Sequence, residues 1–135
     1  MFAACCPELA RSEAFIVDTV SKDAQEQLLK QISKKTPVNT ISLIILDRAP
    51  WHKNIEYPEN IILHFLPPYS PELNMIERVW LKYKENFLSN IIFESIEDIF
   101  STLTETWNTF IQDTDFIKSF FNDRWPGYHK SLFII

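Results

Sequence analysis

Three segments of the chain carry apolar runs of strand length, and between and after them the apolar positions shift to helical spacing. Glu13-Ala14-Phe15-Ile16-Val17 predicts a short strand, and Phe2 to Cys6 is a further candidate. Ser21 is placed to cap a helix from about Lys22 to Ser33, in which Ala24, Leu28 and Ile32 recur every fourth residue as one buried stripe. Ile41 to Leu46 is nearly continuous in apolar residues, as expected of a strand covered on both faces. Asn60 to Leu66 is a second run of that kind, stopped by Pro67-Pro68, which cannot continue a ladder.

Helical spacing then dominates. A helix is expected after Ser70-Pro71, with Leu73, Ile76, Trp80, Tyr83 and Phe87 on its core face. A second follows Ser95, with Ile96, Ile99, Phe100, Leu103, Trp107 and Phe110 on one side and Asp98 supporting its first turn. A shorter helical stretch runs from about Asp115 to Asn122, before Trp125-Pro126-Gly127, and no element is assigned to Ser131–Ile135. Strands interleaved with helices predict an α/β layer fold, a small mixed sheet with flanking helices. No repeat or linker divides the 135 residues, so one domain is expected over 1–135.

Composition narrows the chemistry. A single glycine, Gly127, excludes a Gly-rich phosphate loop, a dinucleotide fingerprint and a nucleophile elbow. His52, His64 and His129 are scattered, and no His/Cys spacing suits zinc. No apolar run is long enough to span a membrane, and Pro7-Glu8 interrupts the apolar start without a basic region before it, against a signal peptide. The only cysteines are the neighbours Cys5 and Cys6, which makes a disulfide framework implausible and a cytoplasmic location the expectation. Net charge is −5, and the C-terminal part, 91–135, carries most of the acidic excess. If nucleic acid is bound, the middle of the chain is the better candidate, with further phosphate affinity drawn from elsewhere.

Two acids stand out. Asp47 follows the apolar run at a place where ligands collect in open α/β sheets, although an Asp there also opens a turn before Pro50. Glu77 either closes an Asn74-x-x-Glu capping box or lies one turn inside a helix capped at Ser70, beside the buried face. Two such carboxylates suit Mg²⁺ or Mn²⁺, hard cations that drive phosphodiester transfer. Lys53, Arg78, Lys82 and Lys84 could meet DNA phosphates, and Tyr69 could stack on bases or sugars. For Lys82 and Lys84 individually a solvated basic helix face is the favoured reading, and core packing is the expected fate of Trp51.

The words Leu46-Asp47-Arg48-Ala49-Pro50-Trp51-His52-Lys53 and Leu66-Pro67-Pro68-Tyr69-Ser70-Pro71-Glu72-Leu73-Asn74-Met75-Ile76-Glu77-Arg78-Val79-Trp80 resemble the signature of DDE-superfamily transposases of the mariner-like insertion-sequence branch. Weaker similarity extends over nearly the whole chain, including Cys6-Pro7-Glu8-Leu9. The resemblance implies a ribonuclease-H-like fold and metal-dependent DNA cleavage and strand transfer. It makes Asp47 the second acid of an Asp-Asp-Glu set and Glu77 the third, with His52, Tyr69 and Asn74 at positions that shape the site or its interfaces. Glu72 belongs to the motif without being the catalytic acid.

Arg48, Pro50 and Met75 depart locally from the pattern. More consequentially, the first aspartate of such enzymes lies on a strand upstream of where this chain begins, after a helix-turn-helix region. Asp18, the nearest alternative, aligns with a turn. The resemblance therefore implies the C-terminal part of a transposase catalytic domain, truncated at the N-terminus and inactive alone. Such a chain is expected to fold incompletely or to expose a sheet edge where the missing strand belonged. A second possibility is a non-catalytic module that forms a homodimer or pairs with a full-length transposase.

Overall fold

A computed structural model describes residues 1–6, 11–70, 73–74, 76–119 and 132–135. In chain order the elements are β1 (Phe2–Cys6), β2 (Arg11–Phe15), α1 (Lys22–Lys35), β3 (Ser42–Leu46), a 3-10 turn (Pro50–His52), β4 (Ile61–Phe65), α2 (Ile76–Tyr83), a π turn (Lys84–Leu88), α3 (Ile96–Gln112), α4 (Thr114–Ser119) and β5 (Leu132–Ile134). The strands form one mixed sheet in the order β2-β1-β5-β3-β4. β1 runs antiparallel to both β2 and β5, whereas β3 lies parallel to both β4 and β5. The α/β layer fold expected from the sequence is the one observed.

Side chains alternate across a strand, and the two faces of this sheet bury different helices. Phe2, Ala4, Cys6, Ile44, Leu46 and Phe133 pack with Leu28, Leu29 and Ile32 of α1. Ala3, Cys5, Ile45 and Ile134 pack with Ile76, Val79 and Tyr83 of α2 and with Trp107 and Phe110 of α3. Cys5 and Cys6 thus face opposite layers, which explains why neighbouring thiols form no disulfide. Burial pushes the Cys5 thiol up to about 12, so it behaves as an inert core side chain.

Helix ends follow their caps. Ser21 accepts from the Ala24 amide at 3.2 Å and Ser95 from the Asp98 amide at 3.0 Å, each satisfying an orphan donor of a first turn. α2 is locked to α3 through Tyr83, whose ring lies 5.3 Å from Trp107 and 5.5 Å from Phe110. The Tyr83 hydroxyl shares a hydrogen bond with Thr106 Oγ1 at 2.7 Å and donates to the Leu103 carbonyl at 3.3 Å. Each such aromatic pair is worth about 0.5–1.5 kcal/mol beyond its buried area, enough to hold a helix of two turns in place.

Several expectations need correction. β2 spans Arg11–Phe15 rather than 13–17, and Asp18 is exposed in the bend that follows. β4 is an edge strand with Ile62 49% exposed, not a strand covered on both faces. Leu73 is exposed, while Val79 takes a core place that the spacing assigned to other residues. On α3, Ile96, Ile99 and Phe100 are exposed and only the second half of the stripe is buried. β3 is flanked on one side by β4 and on the other by β5, a strand the sequence did not reveal. The expected helical residues beyond Ser119 and the Trp125-Pro126-Gly127 segment lie outside the described residues.

Candidate functional site

The C-terminal ends of parallel β3 and β4 open into the site. Leu66 donates its amide to the Leu46 carbonyl at 2.9 Å, and Arg48 Nε donates to the Leu66 carbonyl at 3.0 Å, pinning the two exits together. Asp47 comes one residue after β3. By alternation it continues the face of Ile45, the α2 side of the sheet.

Asp47 is also a turn residue: its Oδ1 accepts from the Ala49 amide at 2.9 Å. The turn leaves the carboxylate partly free: Oδ2 makes no hydrogen bond among the described residues and the side chain is 50% exposed. The following 3-10 turn folds His52 back beneath it. His52 Nδ1 lies 2.9 Å from Asp47 Oδ1 and 3.3 Å from the Asp47 carbonyl. Both are acceptors, so Nδ1 carries the proton and the ring holds the carboxylate in orientation. Burial lowers the His52 pKa against the opposing pull of Asp47, which favours the neutral ring. Its Nε2 is buried with no partner among the described residues.

Glu77 sits in the first turn of α2 with its side chain exposed. The Glu77 amide bonds to the Asn74 carbonyl at 3.2 Å. The Asn74 side chain turns away from the helix, and its Nδ2 donates to the Ile135 carbonyl at 3.5 Å. The capping box that would have occupied Glu77 is therefore not made. Nor does Glu77 lie against the core, the other expectation for it. Its carboxylate makes no hydrogen bond or ion pair among the described residues.

Asp47 and Glu77 line one cavity of about 420 Å³ together with Lys53, Tyr69, Ser70 and Asn74. They line a smaller neighbour of about 170 Å³ with Trp51, His52, Asn74 and Trp80. Lys84 borders a third cavity that Glu77 also touches. Arg78 and Lys82 are exposed on α2, and Lys82 is paired with Glu85 at 2.5 Å. Trp51, expected in the core, is 37% exposed and meets His52 edge-on at 5.9 Å.

Tyr69 is fully exposed and has a φ of 58°. Asn39, Asn54 and Asn90 share that left-handed region, but Asn tolerates it and a bulky aromatic does not. Arg48 and Asn74 were legible as motif residues, yet their links to Leu66 and Ile135 depend on contacts distant in sequence. Glu72 and Met75 lie outside the described residues.

The donor set fits a hard divalent cation in part. Two carboxylates with unengaged oxygens share a cavity, but among the described residues no three His, Cys, Asp or Glu side chains form a metal-holding group. No described helix is long and apolar enough to cross a membrane.

Comparison with known proteins agrees with the geometry. The model of the DDE superfamily endonuclease family matches residues 1–100. The chain is 33% identical over 133 residues to the uncharacterized protein y4pE/y4sA of Sinorhizobium fredii (strain NBRC 101917 / NGR234), covering 97% of both chains. No solved structure matches. A five-stranded mixed sheet with helices on both faces is the ribonuclease-H-like arrangement of such nucleases. The chain belongs to the DDE superfamily endonuclease family.

Proposed function

We propose that the chain is the C-terminal part of a transposase catalytic domain of the mariner-like branch, contributing two acids to DNA cleavage and strand transfer. The observation that carries this proposal is the cavity shared by Asp47 and Glu77, whose carboxylates come from different elements and remain incompletely engaged. Mg²⁺ or Mn²⁺ bound between them would supply a polarised phosphate and an activated attacking oxygen.

The remaining roles belong to the chain itself. His52 fixes the Asp47 carboxylate, and Asn74 holds the start of α2 to the sheet through Ile135. Lys53 and Tyr69 border the cavity where the DNA backbone would lie, Lys84 extends that border, and Arg78 and Lys82 meet phosphates further along α2. The partners are the element ends and target DNA, and the work is done in the cytoplasm at the nucleoid. With two acids the chain alone is inactive.

Nicking of supercoiled plasmid tests this. The chain with Mg²⁺ or Mn²⁺ should give no product. Addition of a family segment carrying an apolar strand that ends in aspartate should give nicked circles, lost on Asp47→Asn or Glu77→Gln. Nicking by the chain alone, or nicking indifferent to both substitutions, would contradict the proposal.

A second function, a dimerisation module or one that pairs with a full-length transposase, is favoured by one feature. Ile92, Ile96, Ile99 and Phe100 expose apolar surface at the start of α3. Sedimentation of the chain alone and with a complete transposase tests this function: a strictly monomeric chain without affinity for the complete enzyme would count against it.

A further inference from the structure

Three side chains carry buried polar atoms without a partner among the described residues: Gln25 at both amide atoms, His52 at Nε2 and Asn74 at Oδ1. Asn74 already uses its amide nitrogen to tie the start of α2 to Ile135. Gln25 has no such task. It is fully buried on α1, where the other buried positions are Leu28, Leu29 and Ile32. An amide enclosed among apolar side chains is costly unless it serves a partner.

The position of α1 says where that partner lies. Ser33 Oγ donates to Asn60 Oδ1 at 2.7 Å and Thr36 Oγ1 shares a hydrogen bond with Ser42 Oγ at 2.7 Å, so the helix ends where β4 and β3 begin. Its first turns therefore stand at the C-terminal ends of these strands, and α1 packs against the 3-10 turn that carries His52. The loop leaving that turn is held there too. Glu26 Oε1 accepts from the Glu56 amide at 3.0 Å, and Ile55 joins Leu28 and Leu29 in one buried cluster. Val20, just before the Ser21 cap, lines the smaller cavity with His52. Gln25 is buried one turn inside that cap, at the same end of the molecule.

Chemistry then selects the partner. Nδ1 of His52 carries the ring proton toward Asp47, so Nε2 is an acceptor and needs a donor. Of the unpartnered buried atoms among the described residues, Gln25 Oε1 and Asn74 Oδ1 are themselves acceptors. Only Gln25 Nε2 can donate.

We propose that Gln25 is a positioning residue for the site, donating from its Nε2 to His52 Nε2 directly or through one enclosed water. The chain Gln25–His52–Asp47 fixes the imidazole tautomer at one end and the carboxylate at the other. Outer partners of this kind orient the side chains that hold a cation. The Gln25–His52 bond rests on burial and the donor inventory; its consequence for a cation rests on the two-acid function proposed above.

Imidazole ¹⁵N resonances of the full chain test the bond. In the unaltered chain, His52 Nδ1 should show the protonated resonance, and Nε2 should lie upfield of a non-bonded acceptor nitrogen. Gln25→Leu, similar in size and suited to the apolar face, should move Nε2 downfield to the non-bonded position. It should also weaken Mn²⁺ binding by about tenfold in an electron paramagnetic resonance titration. With His52→Asn already in place, Gln25→Leu should change Mn²⁺ affinity by less than about twofold, because the intermediate link is gone.

A non-bonded Nε2 resonance in the unaltered chain, or one that ignores Gln25→Leu, overturns the pairing. If Gln25→Leu fails to fold, the unaltered chain decides. A moved resonance with unchanged Mn²⁺ affinity overturns the positioning role when Asp47→Asn still abolishes binding. Mn²⁺ binding indifferent to Asp47→Asn sinks the two-acid function instead, and a moved resonance then still upholds the Gln25–His52 bond.

Discussion

Glu13 on β2 is buried, and its carboxylate is answered by Lys35 at 2.7 Å and by Gln31 at 2.5 Å. Asp47 is half-exposed and Glu77 exposed, and both keep oxygens without partners among the described residues. A buried charge must be paired to be tolerated, so Glu13 is explained by the fold. Nothing in the fold requires Glu77 to be acidic, and Asp47 needs one oxygen for its turn. Carboxylates that contribute little to folding, yet border a common cavity, are what the proposed cation site requires.

The difference can be broken most severely at the cavity. Asp47→Asn with Glu77→Gln should weaken Mn²⁺ binding by roughly a hundredfold, measured by electron paramagnetic resonance titration, and leave the denaturant midpoint nearly unchanged. Lys35→Met should do the reverse. It strands the Glu13 carboxylate and should cost about 1–2 kcal/mol in urea unfolding, moderated because Lys35 is itself half exposed. Mn²⁺ binding should not change.

His52 sharpens the contrast through pH. Its folded-state pKa is lowered by burial, so the unfolded chain binds more protons as the medium acidifies. Its contribution is present above the ordinary histidine range, near pH ~6.5, and is lost as pH falls through the folded value. His52→Asn, which keeps a donor for Asp47, should flatten the decline in urea midpoint on the acid side. The smallest effect is expected at Tyr69. Tyr69→Gly should raise stability by about 1 kcal/mol, because glycine accepts a φ of 58° without strain. It should also weaken DNA binding in an anisotropy titration, separating the residue's cost to the fold from its use.

Local signals were the part of the molecule most legible in sequence. The caps at Ser21 and Ser95 and the runs that became β3 and β4 follow from chemistry within a few residues. β5 escaped because Phe133, Ile134 and Ile135 are buried on alternate faces, so the apolar run carries no alternation to detect. The start of α3 misled the stripe because its apolar periodicity continues past the surface that covers it. Within the site, the Asp47 and Glu77 words drew attention, but spacing could not choose between capping and ligand roles. The capping box was ruled out by Asn74 reaching Ile135, a contact between residues 61 positions apart. The His52–Asp47 orientation likewise needed the 3-10 turn to be seen.

Paramagnetic broadening by Mn²⁺ tests the shared site most directly. In a ¹⁵N–¹H spectrum titrated with substoichiometric Mn²⁺, amides around Asp47 and Glu77 should fade together, and Asp47→Asn should restore both sets. Broadening confined to one of them, or centred on the acidic start of α3 at Glu94, Glu97 and Asp98, would contradict a cation held between the two carboxylates.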